Sequence, residues 1–149
     1  MKALKICILI LSAGFLFSCN KSGSSTTPSS AMSANLGSGT VNLTASFTNS
    51  NGLIVMTGSS SSNTVQLYLK LSGGGGGTFT LGDPSTSYYA TVGNSFASYS
   101  TSATYIGQAV VSQGSNGLYS GTFYFNAVET SPTAGGGTIS VSSGSFSNM

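Results

Sequence analysis

Two carboxylates, one lysine in the body of the chain and one cysteine carry most of the chemistry this sequence could do. Asp83 and Glu129 are its only acidic residues. Held about 5–9.5 Å apart in a cleft, two carboxyl groups can hydrolyse a glycosidic bond, one as acid and the other as base or nucleophile. Both lie beside turn signals, Gly82-Asp83-Pro84 and the stretch from Thr130 to Gly137, where a solvated loop charge is the ordinary outcome. Lys70 could activate a serine hydroxyl, but it alternates outward from an apolar strand face, so a solvated charge is expected there too. The chain has no His, Arg or Trp. Ser-His-Asp and Cys-His nucleophilic arrangements and His-ligated metal sites are thereby excluded. Asp83 alone falls short of the several oxygen ligands that calcium needs. The reading is of a protein that is not an enzyme and takes no cofactor or metal.

The glycine run Gly73 to Gly77 lacks the Lys-Ser/Thr ending and following helix of a phosphate loop, and reads as a hairpin loop. Asn42-Leu43-Thr44 matches a glycosylation sequon, a chance match in a chain with a bacterial leader.

The cysteine is the sharper signal. Residues 1–19 read MKALKICILILSAGFLFSC. Lys2 and Lys5 form a positive n-region, and Ile6 to Phe17 form an apolar stretch too short to span a bilayer as a mature helix. Leu16-Phe17-Ser18-Cys19 resembles a lipobox, with Phe17 bulkier than that pattern usually has. The resemblance implies cleavage before Cys19, a diacylglycerol on its sulfur and a fatty acyl chain such as palmitate on the freed amine. Each buried methylene contributes about 0.8 kcal/mol, so one chain holds marginally and two or three hold firmly. Cys7 leaves with the leader and Cys19 carries lipid, so no disulfide is available within the mature chain.

Charge is scarce. Lys21 and Lys70 balance Asp83 and Glu129, and the formal net charge of +2 belongs to the leader lysines. Two lysines cannot displace counterions from a row of phosphates, which excludes a nucleic-acid partner. Seven Tyr and eight Phe in alternating runs argue against disorder.

Residues 19–36 read as the lipidated Cys and a flexible tether rich in Ser, Thr and Gly, and 37–149 as a single domain. Within that domain the period is two. Val41, Leu43, Ala45 and Phe47 alternate with polar residues. Asn49-Ser50-Asn51-Gly52 is a turn signal, and Leu53 to Thr57 runs on. Val65, Leu67, Leu69 and Leu71 share a face. Thr78 to Leu81, Tyr88 to Val92 and Tyr105 to Val111 follow as strands, with Gly93 to Ser102 ambiguous. In Leu118 to Val128, Tyr119, Phe123, Phe125 and Ala127 share one face, and Ser120, Thr122, Tyr124 and Asn126 the other. Gly121 on the aromatic face permits close approach of a neighbour. The last strand, Thr138 to Phe146, slips phase between Val141 and Phe146, which predicts a bulge near Gly144. About eight short strands without helical periodicity predict an all-β antiparallel sandwich, with a barrel as the alternative.

Gly117-Leu118-Tyr119-Ser120-Gly121-Thr122-Phe123-Tyr124-Phe125-Asn126-Ala127 and Thr138-Ile139-Ser140-Val141-Ser142-Ser143-Gly144-Ser145-Phe146 resemble a family of small exported lipoproteins of the Bacteroidota. That family is catalogued as a domain of unknown function. The resemblance extends over residues 40–149 and is most specific from Gly117 onward. It implies a lipid-anchored, exported location and an all-β fold, and it brings no catalytic or binding residues. In related lipoproteins an acidic cluster after the lipidated Cys resembles a surface-export signal. Asn20-Lys21-Ser22-Gly23 has none, which leans towards the periplasmic leaflet and leaves the surface leaflet open.

The expectation is a lipoprotein of the cell envelope, anchored through Cys19 at the outer membrane, that acts as a non-catalytic binding or structural module. Its partner, an envelope protein or a glycan, is open. A glycan-binding variant would use Tyr88, Tyr89, Tyr99 and Tyr105, whose rings could stack on sugars. A hydrolase built on Asp83 and Glu129 is the second alternative.

Overall fold

The computed structural model describes residues 29–71, 75–130 and 136–149. The leader, Cys19, most of the tether, and parts of the two glycine-containing loops lie outside the described residues.

Among the described residues, ten antiparallel strands form the domain. Their ranges are β1 Ala31–Asn35, β2 Thr40–Ser50, β3 Leu53–Ser59, β4 Asn63–Lys70, β5 Gly77–Leu81, β6 Tyr88–Asn94, β7 Ser98–Ser100, β8 Gly107–Gln113, β9 Tyr119–Glu129 and β10 Thr138–Ser147. The hydrogen-bonded order β10-β1-β2-β3-β4-β6-β7-β9 returns to β10, so eight of them close into a barrel. β8 runs beside β9 on the edge that β7 also uses, and β5 flanks β8. Of the two architectures expected, the barrel is the one found.

Closure rests on β10, which pairs with β1 on one side and β9 on the other. The bulge expected near Gly144 is present. The register against β9 shifts between Val141 and Gly144, and Ser143 has φ of 49°. A bulge bends a strand and raises its twist, which a closing strand needs. The Asn51-Gly52 turn joins β2 to β3 directly, with φ of 52° and 82°. Two successive positive φ values are the geometry that matches the twist of a hairpin.

Residues 31–35 correct the tether boundary. Met32 and Ala34 are buried, and β1 is hydrogen-bonded on both sides, to β2 and β10. Gly58 on β3 makes the room. A Cβ there would run into Met32 Sδ and lie 2.9 Å from Leu43 Cβ. Alternation in Ala-Met-Ser-Ala-Asn is faint because its inward residues include only one large side chain.

The interior is solid. Ile54, Met56, Val65, Leu67, Leu69, Val92, Phe123, Phe125, Val141 and Phe146 point inward with at most 3% of their surface exposed. An eight-stranded barrel is just wide enough for its side chains to fill. Burying each large apolar side chain contributes about 1.5–3 kcal/mol. Gly121 serves as the sequence suggested: a Cβ there would strike the Val110 carbonyl oxygen and lie 2.7 Å from Phe146 Cζ. Thr44, Ser46, Thr48, Thr122, Asn126 and Ser145 face solvent. Apolar-in and polar-out is the reverse of a barrel that spans lipid.

Candidate functional site

The chemically capable side chains are dispersed. Asp83 sits half-buried in the turn from β5 to β6, where its carboxylate accepts a hydrogen bond from the Ser85 N–H at 2.8 Å. That backbone N–H, helped by the Ser85 hydroxyl, holds the carboxyl below the usual carboxylate range. Glu129 ends β9, and its Oε2 accepts from the Gly137 N–H at 3.2 Å. Each acid thus braces its own loop, and no hydrogen bond joins the two among the described residues. Lys70 is exposed at the end of β4. Its carbonyl accepts from the Tyr88 hydroxyl at 3.2 Å.

The four tyrosines expected to form a sugar platform do not share one face. Tyr88 and Tyr89 are neighbours on β6 and so point to opposite sides of the sheet. Tyr88 stacks on Phe79 with ring centroids 5.3 Å apart and packs against the core. Tyr89 lies outside, stacked on Tyr68 at 4.1 Å and 7°, and burial raises its phenol pKa, with Tyr68 adding to the shift. Tyr99 packs against the core, and Tyr105 is half-buried in a turn held by Ser102. The Tyr68 hydroxyl donates to Gln66 Oε1, which also accepts from Thr91, while Gln66 Nε2 donates to Thr57. The Thr57, Tyr68 and Thr91 side chains of this outer cluster thus all bond to Gln66.

The loops that sequence reasoning passed over are better placed. The β3–β4 and β6–β7 turns lie side by side, because Asn63 pairs with Asn94 and Thr64 with Gly93. Between them is an open groove of about 270 Å³, lined by Ser60–Thr64 and by Gly93, Asn94 and Ser95. Phe96 follows at the tip of the β6–β7 turn with 94% of its surface exposed. Other large exposed apolar side chains show far less, Tyr124 53% and Ile106 51%. The only signal in the sequence was a lone aromatic in Asn-Ser-Phe-Ala-Ser, inside the stretch that could not be assigned.

Strand directions set where this groove lies. β3 ends and β4 begins at the barrel end that also carries the β1–β2, β6–β7 and β9–β10 connections. The chain enters β1 at the other end, where Ala31 pairs with Ser147 and the Ser30 hydroxyl donates to the Asn148 carbonyl at 2.7 Å.

A family model described as Domain of unknown function (DUF6252) matches residues 39–149, from the β1–β2 connection to the last residue. The chain belongs to this family. The DUF6252 match covers every strand except β1. No curated protein and no solved structure matches the chain.

Proposed function

We propose that this DUF6252 protein is a lipid-anchored module of the cell envelope that binds or scaffolds rather than catalyses. The observation that carries the reading is polar placement of the two barrel ends. The chain enters beside its own C-terminal strand, while the turns around Phe96 gather at the opposite end. A domain held through Cys19 would display those turns away from its anchor. Two further facts support a non-catalytic role. The barrel interior is packed with apolar side chains, and Asp83 and Glu129 are each engaged in a separate loop.

The test is fractionation of cells producing the full chain or its Cys19→Ser variant. The native chain should sediment with membranes and dissolve only in detergent. The variant should lose that behaviour. A variant that fractionates like the native chain would refute lipid anchoring at Cys19.

A further inference from the structure

We infer that the groove between the β3–β4 and β6–β7 turns, together with Phe96, which follows the lining residue Ser95 in the chain, is a binding site for a neutral sugar chain. The inference rests on the binding-module reading and supplies its ligand class. Three observations converge.

The first is the lining. Hydroxyls and amides of Ser60–Thr64, Asn94 and Ser95 surround the groove, and no charged residue does. Among the described residues, the Ser61, Ser62 and Ser95 hydroxyls and the Asn63 side-chain amide are not taken up by protein partners, so they are free to exchange water for a ligand. A phosphate, carboxylate or acidic peptide would find no counter-charge there. A ligand bearing many neutral hydroxyls would find both donors and acceptors.

The second is Phe96. It is the residue after the lining Ser95 and is 94% exposed; a pyranose, with one apolar face of C–H groups and many hydroxyls, has the two characters that an exposed ring and a hydroxyl-lined groove on the same turn would suit. The third is rigidity. Asn94 Oδ1 accepts from the N–H of Phe96 at 2.9 Å and of Ala97 at 2.8 Å. The Asn94 N–H donates to the Ala97 carbonyl at 2.9 Å. Across the groove, Ser60 Oγ accepts from the Asn63 N–H at 3.0 Å. Both walls are therefore fixed before a ligand arrives, which lowers the ordering cost of binding.

Titration of the full chain with cellohexaose and with chitohexaose, followed by calorimetry, tests this. At least one should bind, Phe96→Tyr should keep the affinity, and Phe96→Ala should weaken it about fivefold or more, the effect of one lost stacking contact. Because Phe96 is exposed, Phe96→Ala should unfold at the native temperature. Three results would overturn the proposal. Neither oligosaccharide binds; Phe96→Ala binds as tightly as the native chain; or the variant's deficit appears only in partition onto phosphatidylethanolamine–phosphatidylglycerol vesicles, which would make Phe96 a membrane contact. None of these touches lipid anchoring, which the Cys19→Ser fractionation reads separately.

Discussion

The side-chain carbonyl of Asn94 accepts the backbone N–H of Phe96 at 2.9 Å, so the most exposed large apolar residue described in this protein sits on a fixed turn. A second bond to the Ala97 N–H makes the same oxygen the keystone of the tip. Asn94→Ala removes the one oxygen that accepts both bonds while leaving the N–H groups open to water, so the cost to stability should be about 1 kcal/mol. The larger effect should be on Phe96 itself. Backbone amide relaxation at residues 95–97 should report faster motion in the variant than in the native chain. Unchanged order parameters there would contradict the role given to Asn94.

The aromatic strand supplies the plainest stability test. Phe123 is 2% exposed and faces Phe125 and Phe146, with centroids at 6.3 and 6.4 Å. Thr122, next along β9, points outward. Phe123→Ala should cost about 3–5 kcal/mol from lost transfer energy and the cavity left behind. Thr122→Ala should stay within about 0.5 kcal/mol. Denaturant midpoints of the two variants decide it, and equal losses would mean that the strand faces are misassigned.

Much of this was legible in the sequence because it is local. Period-two patterns in Val65–Leu71 and Tyr119–Ala127 name the inward residues, and the phase slip before Phe146 names the bulge. Closure was not legible, because it depends on β10 reaching both β1 and β9, residues far apart in the chain. β1 was hidden among small polar residues, and β7 has only three residues. The tyrosines misled for a related reason. Sequence shows that Tyr88 and Tyr89 are aromatic, but only the pairing with Leu69 and Tyr68 shows where each ring goes. Phe96 offered no periodicity to read, since its importance comes from the neighbouring turn.

Thr101 is a second residue whose weight only the structure reveals. It is 1% exposed, and its hydroxyl donates to the Gly82 carbonyl at 2.6 Å and accepts from the Ala90 N–H at 3.0 Å. It thus ties the β5–β6 turn to β6. Thr101→Val keeps the shape but strands a buried donor and acceptor, and should cost about 1–3 kcal/mol. Thr101→Ser, which retains the hydroxyl, should recover most of it. Thermal unfolding of the pair checks this, and a Val variant as stable as the native chain would refute it.

Stability should respond to pH only at the extremes. The folded-state pKa of Asp83 is lowered, so its contribution is present above the unfolded value and is lost as pH falls through the acid range. Tyr89 is raised, so its neutral form is favoured in the folded state, and stability falls as pH rises through its titration. Between about pH 5 and about pH 9 neither group titrates, and the chain has no His to do so. The denaturant midpoint should be flat across that window. A pronounced slope there would point to a titrating group that these two assignments miss.

Lipid anchoring stands most directly on the chemical state of Cys19. Mass spectrometry of the N-terminal peptide from protein extracted from native membranes should show a chain that begins at Cys19 and carries diacylglycerol on sulfur and an acyl group on the amine. A Cys19 with a free thiol, or a mature chain that begins elsewhere, would contradict it.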